Sequence, residues 1–202
     1  MLDTSVLTLF LKPDIVPPND PATGRPITHA TARIEHAIKT LSAKGARIVV
    51  PATVLAEFLV CADETAVQDY IDALHNKAGI EVVPFDSISA IEAAHDQRRA
   101  LMDGNKQETF SSPRQCLKAD RQIVAVAKTR RVDAIISTDD DIRKICETMG
   151  VKFIGVWDLE IPESDTPLLD AAEANLDDVE TGETTAPSPS PTALDSGSPA
   201  PE

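Results

Sequence analysis

Three adjacent carboxylates, Asp139, Asp140 and Asp141, stand in STDDDIRKI between an apolar run and an amphipathic stretch. Like charges so close repel and raise one another's pKa, so the arrangement costs free energy unless something offsets it. A helix N-terminus, water or a divalent cation can do so. Three more acids stand out: Asp3 at the end of the first strand in LDTSVL, and Glu57 in PATVLAEFLV and Asp120 in KADRQIVAVA, which sit beside apolar neighbours rather than on a polar face. Acids in such surroundings are rarely left unpaired. Each has a plain structural alternative: a turn or helix cap for Asp3 and Asp120, an ion pair or an outward-reaching chain for Glu57, and complementation of a helix macrodipole for Asp139 to Asp141.

The surrounding pattern determines whether these acids can meet. Strand-like runs ARIVVP (46–51), IEVVPF (80–85), VDAIIS (132–137) and VKFIGV (151–156) alternate with ETAVQDYIDALHNKAG, DSISAIEAAHDQRRALMD, ADRQIVAVAKTRR and DDDIRKICETMG. Apolar residues in the latter recur at i, i+3, i+4 and i+7, the period of a helix. This alternation predicts a three-layer α/β/α sandwich around a parallel sheet, with sites at the C-terminal ends of the strands. LDTSVL is expected to be the remaining strand. Only two residues precede Asp3, so either the start lies upstream or the sheet accepts a stub. Residues 13–28 hold five prolines and read as a loop, followed by a helix over THATARIEHAIKTLSAKG that ends at Gly45.

Length and charge bound the rest. A chain of 202 residues has room for one domain with a sizeable core. The formal charge of −14 is unevenly spread: of 33 acids, 11 fall from Leu159 onward without any Lys or Arg, which leaves 22 against 19 bases in residues 1–158. The domain expected over 1–158 is therefore nearly balanced and able to meet phosphates. Residues 159–202, an acidic segment rich in Pro and Ser, are expected to be disordered, with a short helix conceivable over LLDAAEANL. Cys61, Cys116 and Cys146 lack metal or disulfide spacing. Without a long apolar run or a basic leader, the chain reads as soluble, cytoplasmic and without a membrane partner.

LDTSVL, AEFL, KADRQIVAVA and IISTDDDI, followed by GVKFIGVWDL, together resemble the successive motifs of PIN domains, including VapC-type toxins. The resemblance covers roughly residues 1 to 158. It implies a ribonuclease site for Mg²⁺ or Mn²⁺ built from Asp3, Glu57, Asp120 and Asp139, with Asp141 auxiliary and Ser137 the hydroxyl residue beside it. Such a cation neutralises charge at phosphorus oxygens, activates water and assists the leaving oxygen. Thr4, Ser5, Ser137, Lys118 and Arg121 are the expected substrate contacts. RNA and a small antitoxin are the implied partners, and a homodimer is compatible. The Pro13 to Gly45 segment is longer than in compact toxins. A noncatalytic PIN-like module binding RNA or protein is the alternative from another class. A haloacid-dehalogenase-type phosphatase is disfavoured because Ser5 stands where that chemistry wants a second Asp.

His29 and His36 share one predicted helix, His75 and His95 lie on two others without a metal-ligand spacing, and no phosphate-binding glycine motif is present. One Trp, one Tyr and five Phe leave little for base stacking.

Overall fold

A computed structural model describes residues 1–77, 79–102 and 114–162. Of the tail expected over 159–202, Leu159 packs against the core, and the part beyond Pro162, with its LLDAAEANL helix, lies outside the described residues. In chain order the elements are α1 (Thr4–Leu11), α2 (Ala30–Ala43), β1 (Ile48–Pro51), α3 (Ala52–Val60), α4 (Val67–Asn76), β2 (Ile80–Val83) and α5 (Ser87–Met102). They continue with α6 (Arg114–Thr129), β3 (Ile135–Ser137), α7 (Asp140–Met149) and β4 (Phe153–Gly155). Among the described residues, no helix is long and apolar enough to cross a membrane.

Four of the five predicted strands form, in parallel pairs. Ile48 to Pro51 stand against Ile80 to Val83, and Ile135 to Ser137 against Phe153 to Gly155. Helical crossovers between successive strands enforce this direction. The pairs are stitched together by the first residues of the chain. Leu2 N donates to Val49 O at 3.0 Å, Ile136 N donates to Met1 O at 2.8 Å, and Leu2 bridges Ile136 in parallel. The Met1 ammonium donates to Ala134 O at 2.7 Å, and its burial lowers its pKa to about 6.

The expectation of a strand over LDTSVL is corrected: the extended part ends at Asp3, and α1 begins at Thr4. Val6, Leu7, Leu9 and Phe10 are its buried residues, a helical rather than an alternating pattern. Asp3 starts the helix by accepting from Val6 N at 2.9 Å. The loop before α2 and the end of that helix near Gly45 agree with expectation, Gly45 taking φ +71°. Helix α6 begins earlier than ADRQIVAVA suggests, which puts Asp120 in its interior rather than at its cap.

Leu2, Val50, Val54, Phe58, Ile123, Val124, Ile135 and Ile145 form the inner part of one apolar cluster, drawn from the sheet and from helices packed on it. Phe58, 1% exposed, meets Tyr70 edge-on with ring centroids 5.0 Å apart. It stands next to Glu57, so the same helix sends one side chain to the core and the next toward the strand ends. Phe58→Ala is expected to lower the unfolding free energy by about 3–5 kcal/mol, seen in urea as a lower midpoint with an unchanged slope.

Candidate active site

Asp3, Glu57, Asp120 and Asp139 line one pocket of about 430 Å³ at the C-terminal ends of the central strands. Asp3 leaves the N-terminal stub, Asp139 follows β3, and Glu57 and Asp120 are carried by α3 and α6. Thr4, Ser5, Thr8 and Thr138 add hydroxyls to its wall, and Leu9, Ile15, Val16, Pro18, Ile123 and Ile142 add aliphatic surface. A larger cavity of about 680 Å³ opens at the other ends of the strands. It mixes Arg47, Arg130, Arg131 and Lys152 with Glu81 and Asp133, and Arg47 is ion-paired with Glu81 at 3.0 Å. That mixture does not gather hard ligands, so the acid pocket is the site with chemistry.

The Asp3 carboxylate is buried and accepts from three donors. Ser5 Oγ donates to it at 2.9 Å, Val6 N at 2.9 Å, and Ser137 Oγ makes a further bond. Burial nonetheless dominates and raises its pKa to about 6, with the Asp139 charge adding to the rise against those donors. Asp139 caps α7 by accepting from Asp141 N at 2.7 Å, and its own N–H donates to Ser137 Oγ at 2.9 Å. Glu57 accepts from Thr4 Oγ1 at 2.6 Å. The N-termini of α1 and α7 therefore both open on the pocket, each capped by one of its acids. Their partial positive charge offsets part of the repulsion.

Asp120 lacks such relief. Its Oδ2 is buried without a hydrogen-bond partner. Burial, then the charges of Asp139, Glu57, Asp141 and Asp3, push its pKa up to about 7. A buried, unsatisfied carboxylate oxygen among like charges is what a hard cation relieves, and oxygen donors are the set Mg²⁺ or Mn²⁺ takes. The donor chemistry fits. With the side chains as they stand, no group of three or more His, Cys, Asp or Glu among the described residues forms a ready ligand set.

Four expected contacts are placed elsewhere. Ser137 is fully buried, and its hydroxyl ties Asp3 to Asp139 instead of facing substrate. Asp141 is also fully buried, 3.3 Å from Lys144 Nζ and outside the pocket wall. Its charge reaches Asp120 from there. Arg121 is buried against the Asp96 carboxylate, not offered to phosphate. Lys118 is exposed but absent from the pocket wall, because residues two apart on a helix point to nearly opposite sides. Thr4 and Ser5 do reach the wall. Sequence reasoning passed over Thr138, whose Oγ1 lies 2.8 Å from Ser5 Oγ, and the lip formed by Ile15, Val16 and Pro18. Thr138 could have been found by its place between Ser137 and Asp139; nothing in the proline-rich loop marks its lip in advance.

Asp3 and Asp120 both hold protons in the folded chain above the ordinary value of 3.8. Without metal, the stability they contribute is whole below about pH 4 and is lost as the pH rises to about 7, because the unfolded chain releases those protons first. Asp120→Asn removes one of these groups. In chelator-treated protein the variant is expected to lose less stability than the wild type between about pH 5 and 8, measured by urea unfolding across pH. A steeper loss in the variant would contradict the crowded setting of Asp120.

A family model described as PIN domain matches residues 27–148, more than half of the 202-residue chain. It spans Glu57, Asp120 and Asp139 and begins downstream of Asp3. No curated protein matches the chain. Among solved structures, the chain is similar to FitAB bound to an IR36 DNA fragment at 18% identity and a TM-score of 0.52, over 79% of this chain and 96% of that one. It is also similar to DNA-bound VapBC from Salmonella typhimurium at 16% identity and a TM-score of 0.47, over 77% and 96%. At 18% identity the FitAB likeness speaks to the fold alone, and it agrees with the parallel α/β arrangement. The motifs around the pocket acids and the family match over the helices and strands that carry three of them lead to one statement: the chain belongs to the PIN domain family.

Proposed function

We propose that the protein is a ribonuclease that hydrolyses RNA phosphodiesters with a divalent cation, Mg²⁺ or Mn²⁺, held by Asp3, Glu57, Asp120 and Asp139. The observation that carries this reading is the convergence of four carboxylates, far apart in sequence, on one pocket of a PIN domain. When bound, the cation supplies charge neutralisation at the phosphate and activation of water.

The chain's own residues divide the remaining work. Asp120 has the unsatisfied oxygen, and its raised pKa means that ligation releases a proton near neutral pH. Ser5 and Ser137 fix the orientation of the Asp3 carboxylate, and Thr4 holds Glu57. With the cation bound, the partial positive charge of the α1 and α7 N-termini, shared with the acids that cap them, adds to the attraction for a phosphate. RNA as substrate is what the resemblance to VapC-type toxins implies. In such a toxin a small antitoxin would cover the pocket and set a basic side chain on the acids.

A second reading is a noncatalytic module that binds RNA or a protein, its acids serving as a metal-stapled structural centre. Metal binding without turnover on any RNA would support it.

Total RNA incubated with Mg²⁺ or Mn²⁺, with the cut sites mapped, is the direct test. Asp3→Asn and Asp120→Asn are each expected to reduce cleavage by roughly a hundredfold or more while far-UV circular dichroism is unchanged, since Asn keeps the shape but loses the ligand charge. Chelation of the wild type should abolish cleavage, and readdition of metal should restore it. Unchanged cleavage by both variants would remove the proposed site.

A further inference from the structure

We propose that Asp96 is a positioning residue for the acid pocket, one carboxylate that links the helices carrying Asp120 and Asp139 and sets how those two acids stand. The inference rests on the proposed metal site and adds to it a residue outside the pocket wall.

Asp96 on α5 is 2% exposed, and Arg121 on α6, bonded to its Oδ2, is 6% exposed. Its Oδ1 accepts from Arg99 Nη2 at 2.7 Å, and the same nitrogen donates to Thr148 O, in the last turn of α7, at 3.1 Å. Three helices thus meet at one carboxylate through two guanidinium groups. Arg121 immediately follows Asp120, about 100° around the helix, so a turn of α6 that relaxed the Arg121 contact would also swing Asp120. The opposite end of α7 begins at Asp139, the acid whose charge weighs most on Asp120.

The other ion pairs along the α5 and α6 seam are more exposed. Lys128 pairs with Glu92 at 2.5 Å, and Arg130 with Asp86 at 3.0 Å. Asp96 with Arg121 is the ion pair in which both side chains are buried, among the described residues. A buried ion pair adds little net stability over a well-packed apolar pair. What it does supply is a fixed direction, because the planar guanidinium meets the carboxylate in few orientations.

The test replaces the pair by apolar side chains of similar reach in the full-length protein, Asp96→Leu with Arg121→Met, beside the single variant Asp96→Glu. Melting temperature, Mn²⁺ binding by titration calorimetry, and kcat and KM on RNA are measured. The double variant is expected to melt close to the wild type, to bind Mn²⁺ about tenfold more weakly and to lose about tenfold in kcat with KM unchanged, as misplacing a ligand by a fraction of an ångström does. Asp96→Glu, which keeps the charge, should recover most of both. Wild-type Mn²⁺ affinity and kcat in the double variant would overturn the proposal, and so would a double variant that fails to fold, since the pair would then serve stability. Failure of the wild type itself to bind Mn²⁺ would instead overturn the proposed function on which the inference rests.

Discussion

Like charges gathered in a partly dry pocket are the constraint to which the rest of this structure responds. Four carboxylates share one wall, and two of them, Asp3 and Asp120, are driven well above the ordinary carboxylate range, burial being the larger cause in each. The chain offsets part of this cost with its own donors. Ser5, Ser137 and the Val6 N–H address Asp3, Thr4 addresses Glu57, and the Asp141 N–H addresses Asp139. Asp120 is left with an unpartnered oxygen. The repulsion is thus concentrated on one residue instead of being spread evenly.

Two of these acids serve the fold and the pocket at once. Asp3 caps α1 and Asp139 caps α7, a role usually worth about 1 kcal/mol to a helix. Capping and ligation are not rival readings here, because a carboxylate has more lone pairs than one cap uses. The cap also sets direction. It points each helix N-terminus at the pocket, so the element that holds the acid supplies a partial positive charge beside it. Ser137 couples the two sides by donating to Asp3 while accepting from the Asp139 N–H. Asp140, by contrast, faces Lys144 and Arg143, and those donors keep its pKa below the ordinary value. The three adjacent acids of the sequence therefore have three different fates on one turn of helix.

Polar residues near the acids in sequence proved a poor guide to which of them face the pocket. Arg121 is the neighbour of Asp120, yet one step along a helix turns a side chain through about 100°, enough to carry it from the pocket to a buried contact with Asp96. Lys118 fails for the same geometric reason. Ser137 stays close, but its hydroxyl is consumed by the protein. The apolar lip of Ile15, Val16 and Pro18 was illegible because a proline-rich loop has no period from which its direction can be read. LDTSVL misled in another way: a run of apolar residues after a capping triplet suits a strand or a helix, and only the buried positions of α1 decide between them.

What the sequence by itself determined was the order of the four strands after LDTSVL with the helices between them and their parallel direction; the four acids came as a set with the resemblance to PIN domains. The elements follow from periodicity and crossover length, both of which are local, and the acids from the succession of motifs that resembles the family. Only the tertiary structure decided which polar groups face the pocket, which are spent on holding the acids, and which, like Asp96, act from outside it. Those outcomes depend on the rotation of each helix about its axis and on contacts between residues far apart in the chain, such as Thr4 with Glu57 and Asp96 with Arg121. No window of neighbouring residues contains that information, because it is set when separate apolar faces pack into one core.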